Sequence, residues 1–292
     1  MKDIEVFSLF AKTPAQIADI LGLEKKFQGK QVYCWLVKGA QSFDEMTNLS
    51  LPLRSTLSSK HPSPFSSKVV SSQTDASGAA KLAIQLHDGG IIECVLLTDK
   101  EGDLTACLSS QVGCAMGCRF CRTGTLRFKR NLADYEIIEQ FAHLCHIAEK
   151  PITHVVFMGM GEPLANIDNV VSAVSFLHDP EGYNLSHRRI TISTCGLVPG
   201  ILDLSNRKVP VKLAVSLVTA NDEKRSFLMP VNRSFNLAQL RNALVRFQKV
   251  SGRRFTLEYC MIHDMNISAS DADDLKRFCN DLEVVVNLIP FN

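Results

Sequence analysis

Cys114-Ala115-Met116-Gly117-Cys118-Arg119-Phe120-Cys121 is a C-x3-C-x2-C run, and the fold is read outward from it. Soft thiolates at this density favour zinc or an iron–sulfur cluster. Structural zinc sites pair a C-x2-C with a second Cys or His pair some distance on. No histidine follows at that offset, and the nearest, His143, lies in an amphipathic helical pattern. Electron-transfer clusters usually take four cysteines. Three leave one iron of a cubane open for a chelating substrate. Gly113 and Gly117 let the backbone wrap tightly round a compact inorganic body. Three separate buried cysteines are the bland alternative, and their crowding into eight residues argues against it.

Downstream, short apolar runs alternate with helical patterns. The strands expected are Leu104–Leu108, Thr153–Met158, Arg189–Ser193, Val211–Val218, Phe255–Met261 and Val284–Ile289. The helices between are Leu132–Ala148, Asp168–Leu177, a short Leu202–Ser205, Leu237–Val250 and Ala269–Cys279. Strands alternating with crossover helices predict an α/β fold on a parallel sheet. Six units suit a partial (β/α)6 barrel, open where an eight-fold barrel closes. Chemistry then belongs at the C-terminal strand ends.

Upstream, residues 1–60 read as a helical module. Thr13 is a candidate N-cap, Pro14 opens the first helix and Gly22 follows its last apolar residue. Residues 61–80 are Ser/Pro-rich and read as a linker or exposed loop. Residues 81–106 carry a β-hairpin signal, with Leu82, Ile84 and Leu86 alternating before an Asp88-Gly89-Gly90 turn and a second strand, Ile91–Leu97. Residues 107–292 hold the barrel.

The chain has 292 residues, 46% hydrophobic and 21% charged, with net charge +2. That suits a globular protein and excludes a disordered or polyanion-coating chain. No apolar run reaches membrane-spanning length, and the polar N-terminus does not read as a signal peptide, so no membrane partner and a cytoplasmic location are expected. Ten cysteines in such a chain point to metal or redox chemistry.

Phe157-Met158-Gly159-Met160-Gly161-Glu162-Pro163 ends a strand in a glycine pair, which allows close ligand approach. Glu162 suits an ammonium group, or the stretch is a plain turn. Ser193-Thr194-Cys195-Gly196 and Ser216-Leu217-Val218 end strands with hydroxyls that reach a ribose or carboxylate, or cap helices. Asn292 is of the same class. Cys107 is a fourth ligand, a catalytic thiol or an inert buried cysteine. Glu93 is a proton-transfer acid among apolar neighbours, or it faces water. Arg119, Arg122, Arg127, Lys129 and Arg130, with the doublets Arg188-Arg189 and Arg253-Arg254, suit a phosphate backbone or are solvated surface.

The cysteine spacing is similar to that of the radical SAM superfamily, and the order of the later motifs agrees. Over nearly the whole length the chain resembles the radical SAM adenosine methyltransferases of RNA, the RlmN and Cfr family, with RlmN the nearer branch. Cys107 through Leu132, Phe157 to Pro163, Arg188 to Gly196, Asn221 to Met229 and Val286 to Asn292 carry the resemblance. Gln31 to Leu57, with Trp35 and Phe43-Asp-Glu-Met-Thr-Asn, resembles its N-terminal RNA-binding module.

The resemblance implies a radical SAM barrel, a 4Fe–4S cluster on Cys114, Cys118 and Cys121, and S-adenosylmethionine held by Gly161, Glu162, Ser193, Ser216, Leu217, Val218 and Asn292. It implies methylation of C2 of an adenosine in 23S ribosomal RNA and, in dual-specificity members, in a tRNA anticodon loop. The methyl group passes through a carrier cysteine and a 5′-deoxyadenosyl radical. Cys107 takes the C2 proton and resolves the adduct, and Glu93 matches the proton-transfer acid. A monomer reduced by a donor such as flavodoxin or ferredoxin is expected. Val218 stands where the family commonly has His, and the Glu93–Cys107 loop is one residue longer. The sequence stops at Asn292, short of the family's Ala-Cys-Gly-Gln carrier segment. The alternative expectation is therefore an RNA-binding protein that cleaves S-adenosylmethionine without methyl transfer.

Overall fold

The computed structural model describes residues 6–291. The chain divides into two compact units, each built from several stretches of sequence.

The first unit takes residues 6–109, Leu132–Val155 and Asn169–Ser186. It opens with helices α1 (Pro14–Ile20), α2 (Lys26–Val37) and α3 (Leu51–Lys60). Thr13 caps α1, its hydroxyl accepting from the Gln16 N–H, with Pro14 in the first turn and Gly22 left-handed just beyond, as the sequence predicts. In α2, Val32, Tyr33 and Leu36 turn inward. The Tyr33 hydroxyl donates to Asp179, and its ring meets Phe176 edge-on.

Four strands follow: β1 (Lys68–Thr74), β2 (Ala80–Gln85), β3 (Ile91–Thr98) and β4 (Leu104–Cys107). Each pairs antiparallel with the next. The expected hairpin is β2–β3, turned at Asp88-Gly89-Gly90, where Asp88 accepts from the Gly90 N–H. Leu82, Ile84, Ile92, Cys94 and Leu96 line its buried face, and α4 (Asp134–Ile147) packs on β3 with Ile137, Ile138 and Phe141 buried. The unit is completed by α5 (Ile167–His178), which starts just outside it.

Two expectations change here. The stretch read as linker, residues 61–80, contains β1. Every residue of β1 is exposed, so the strand shows no apolar alternation and is held by its ladder to β2. Leu104–Leu108, read as the first parallel strand, is the antiparallel β4. Its link from β3 is the tight Asp99–Asp103 turn, and a parallel pair needs a crossover of a dozen residues or more.

The second unit takes Ser110–Asn131, Val156–Asp168 and residues 187–291. A two-residue ribbon, β5 (Gln111–Val112) with β6 (Arg130–Asn131), is antiparallel. The sheet then runs in the order β7 (His154–Phe157, whose first half belongs to the other unit), β8 (Ile190–Thr194), β9 (Lys212–Ser216), β10 (Phe255–Met261) and β11 (Val284–Pro290). The pairs β8–β9, β9–β10 and β10–β11 are parallel, as the strand–helix alternation predicts. The helices are α6 (Val198–Arg207), α7 (Asp222–Leu228), α8 (Val231–Ser234), α9 (Leu237–Ser251) and α10 (Ala269–Cys279). The expected short helix Leu202–Ser205 is the middle of α6, which starts earlier because Pro199 is tolerated in a first turn. Leu240, Leu244 and Phe247 give α9 one apolar face.

Among the described residues, no helix is long and apolar enough to cross a membrane.

Candidate active site

The β5–β6 ribbon closes the cysteine loop at its base. Gln111 pairs with Asn131 and Val112 with Arg130, so residues 113–129 form one excursion. Gly113 is left-handed at φ 76°, and a Cβ there would lie 2.1 Å from the Arg127 carbonyl. Only glycine lets the loop cross itself so closely. Cys121 N–H donates to the Cys118 carbonyl and Gly124 N–H to the Cys121 carbonyl, giving the second half a tight turn. The Arg119 N–H donates to the Leu228 carbonyl, and its guanidinium lies 4.0 Å over the Phe227 ring. Met116 and Phe120 pack against the buried Val218, Leu228 and Met229. The loop is thus anchored to α7 by apolar burial and one main-chain bond.

Cys114, Cys118 and Cys121 line a cavity of about 440 Å³ in this unit. Gly159, Gly161 and Glu162 follow β7 into it, Ser193 and Cys195 come from the end of β8, and Ser216 ends β9. Glu258 and Asn287 enter from β10 and β11. The cavity therefore lies at the C-terminal strand ends, where a parallel sheet puts its chemistry.

Gly161 has φ 105°, and a Cβ there would sit 2.6 Å from the Gln111 side chain. That side chain accepts the Glu162 N–H at 2.9 Å and donates to Asn131 at 2.8 Å. One glutamine thus ties the glycine turn to the base of the cysteine loop. Glu162 is buried, with Oε1 accepting from the Leu164 N–H at 3.1 Å and Oε2 from the Cys195 N–H at 2.7 Å. The Thr194 hydroxyl and the Cys195 thiol also donate to this carboxylate. Burial pushes its carboxyl up, and hydrogen bonds from the Cys195 N–H, the Cys195 and Thr194 side chains and the Leu164 N–H pull against it. The bland reading of this stretch as a turn is half right, because Glu162 also caps the 3-10 turn Pro163–Asn166.

Burial pushes the Cys118 thiol up to about 12 and raises Cys114. Such thiols ionise on meeting a metal. No three His, Cys, Asp or Glu side chains among the described residues converge on a single-ion site. In a cubane each thiolate takes a different iron. The donor set, the shared cavity and the tight loop fit the cluster.

Leu217 and Val218 continue from Ser216 but are buried and do not line the cavity. Asn292 lies outside the described residues. Glu93 and Cys107 belong to the first unit. Glu93 is half-exposed on β3, with an ion pair to Lys81 at 3.1 Å, and Cys107 ends β4 opposite Val95. The loop residues Arg119, Arg122, Arg127 and Lys129 are exposed and Arg130 is half-buried.

Sequence reasoning missed Gln111, Glu258 and Arg225. Gln111 and Glu258 stand in stretches that were recognised, but one is a lone amide and the other an acid on a strand with no motif around it. Arg225 sits in a helix of seven residues, Asp222–Leu228, too short and polar to register as periodic.

A model of the Radical SAM superfamily matches residues 108–276, and one of the Ribosomal RNA large subunit methyltransferase N-terminal domain matches residues 19–61. The chain is 43% identical over 279 residues to a probable dual-specificity RNA methyltransferase RlmN of Treponema pallidum, covering 96% of this chain and 82% of that protein. It is 44% identical over 272 residues to the dual-specificity RNA methyltransferase RlmN of Geotalea uraniireducens, covering 92% and 77%. A radical SAM methyltransferase from Sphaerobacter thermophilus has a similar structure, with TM-score 0.89 and 37% identity over 98% of this chain and 85% of that one.

Proposed function

The chain belongs to the RlmN family of the radical SAM superfamily, and from that premise we propose that it methylates C2 of an adenosine in 23S ribosomal RNA and in tRNA. Its cofactors are a 4Fe–4S cluster and S-adenosylmethionine. When bound, they supply one-electron cleavage of a carbon–sulfur bond, the chemistry an electron-poor ring carbon requires.

The observation that carries this reading is the cavity that gathers the three cysteines, Gly161-Glu162, Ser193 and Ser216. Cys114, Cys118 and Cys121 hold the cluster with one iron open. Glu162 accepts from the ammonium group of S-adenosylmethionine, and the Gly161 turn lets the ligand approach the backbone. Ser193 and Ser216 reach its ribose and carboxylate, with the Leu217–Val218 backbone beneath. Asn292 adds a further polar contact. At the adenine, Cys107 takes the C2 proton and resolves the adduct, and Glu93 moves protons. The exposed Arg119, Arg122, Arg127 and Lys129 meet RNA phosphates. The protein works as a cytoplasmic monomer and takes its electron from a donor such as flavodoxin or ferredoxin.

The test is anaerobic reconstitution of a full-length version that carries the carrier-cysteine segment, with S-adenosylmethionine tritiated in the methyl group and 23S rRNA or tRNA as substrate. Label is expected in 2-methyladenosine. Label confined to 8-methyladenosine would overturn the C2 assignment, and unlabelled RNA would overturn the function.

A further inference from the structure

Arg225 has no place in the roles above, yet it is wholly buried, the largest side chain so enclosed. A buried guanidinium is costly unless every donor finds an acceptor. Its acceptors are three main-chain carbonyls and one amide. Nε donates to the Leu217 carbonyl at 3.1 Å, and one terminal nitrogen to Asn232 Oδ1 at 2.9 Å. The other donates to the Cys195 carbonyl at 2.7 Å and the Ser216 carbonyl at 3.3 Å. Cys195 and Ser216 line the cavity from two neighbouring strands. One side chain therefore links the ends of β8 and β9 from behind.

The backbone it grips is strained. Val218 has φ 63°, a left-handed conformation that a β-branched residue strongly disfavours. Such a residue persists where its surroundings over-determine it, and those places cluster at ligand sites. Here Leu217 and Val218 both donate their N–H to the Glu258 carbonyl. Arg225 holds the Leu217 carbonyl, and Asn266 Nδ2 donates to the Val218 carbonyl at 2.6 Å. Asn266 is itself buried and fixed by its bond to the Cys260 carbonyl.

We infer that Arg225, with Asn266, is a positioning residue for S-adenosylmethionine: its planar fork fixes the left-handed turn at Val218 and so aims Ser216 and the Cys195 peptide into the cavity. This rests on the reading of the cavity as the S-adenosylmethionine site. The fork is the operative feature, since an ammonium cannot reach carbonyls on two strands at once. A lysine would keep the charge and lose the geometry.

The test measures S-adenosylmethionine affinity by equilibrium dialysis on the anaerobically reconstituted chain, with iron content as the folding control. Arg225→Lys is expected to bind about tenfold or more weakly with its iron retained, a loss in geometry rather than charge. Glycine takes a left-handed turn without strain, so Arg225→Lys with Val218→Gly is expected to recover about threefold or more of that loss. The electron paramagnetic resonance signal of the reduced cluster should respond to S-adenosylmethionine in the double variant more than in the single one. Asn266→Ala tests the same turn from its other side, and decides the matter should Arg225→Lys lose its iron. Unchanged affinity in Asn266→Ala, or in an iron-replete Arg225→Lys, would overturn the inference, as would loss that Val218→Gly does nothing to restore. A wild-type chain that carries iron but binds no S-adenosylmethionine would sink the cavity reading itself, and the inference with it.

Discussion

Glu139 in the first unit and Glu162 in the second are both carboxylates sealed from solvent, but their donors differ. Glu139 accepts from the Ser8 hydroxyl at 2.7 Å, from the Ser66 N–H and hydroxyl at 2.8 and 3.0 Å, and from the Ser67 hydroxyl. Ser67 also reaches Nε2 of His143, whose ring stacks on Phe65 at 4.2 Å. These partners tie the chain around residues 8 and 66 onto α4 within the core. Glu162 takes its bonds from the Leu164 and Cys195 N–H groups and from the Thr194 and Cys195 side chains, and it lines a cavity. Burial raises both carboxyls and hydrogen bonds oppose it in both. What separates a stitch from a site is the opening beside the charge.

The sharpest break in this comparison comes at the cysteine loop. Cys118→Ala is expected to abolish the cluster and all cleavage of S-adenosylmethionine, measured as iron content and 5′-deoxyadenosine. Next, Glu162→Ala removes the acceptor for the Leu164 and Cys195 N–H groups as well as for the ligand. Losing a hydrogen bond between charged partners costs about 1.5–3 kcal/mol, so S-adenosylmethionine affinity should fall by about tenfold or more. Glu139→Ala should do the reverse. It should cost about 1–3 kcal/mol of unfolding free energy in urea while 5′-deoxyadenosine formed per folded chain stays as in the wild type. A Glu139→Ala chain of full stability but lost cleavage would erase the distinction drawn here.

A smaller effect sharpens the same contrast through pH. Burial holds His143 down at about 4, against 6.5 when unfolded. The native ring is neutral, and the unfolded chain takes up the proton first. Stability is therefore full above pH 6.5 and is lost as pH falls toward 4, by about 2 kcal/mol between pH 7 and 5. His143→Gln should flatten that part of the urea-unfolding profile. The smallest effect is expected at the exposed Lys81–Glu93 pair, where Lys81→Ala should change stability by under about 1 kcal/mol.

The cysteine loop was legible because its residue types and spacing are the chemistry. The parallel strands from β8 to β11 were legible because each carries an apolar run, and β8 and β9 end in Thr194 and Ser216 at the site. The Gly161-Glu162 turn was placed at a strand end by its glycines, but its task as a helix cap was hidden, since that depends on where the Leu164 N–H points. What stayed hidden was set by tertiary context. No sequence pattern marks β1, whose strand conformation comes from pairing with β2. Nothing in Asp222–Leu228 distinguishes Arg225 from the solvated charges beside it, since its burial depends on carbonyls from residues 195, 216 and 217. Glu93 could be assigned to its strand, but its ion pair with Lys81 needed the β2–β3 register, which sets Lys81 opposite Val95 and Ala83 opposite Glu93.

The most direct test of the account is the yield of 5′-deoxyadenosine from the anaerobically reconstituted, reduced chain beside its Cys118→Ala variant. The account predicts reductant-dependent 5′-deoxyadenosine from the wild type, which carries about four irons per chain, and none from the variant. A colourless wild-type chain with one zinc and no 5′-deoxyadenosine would contradict it.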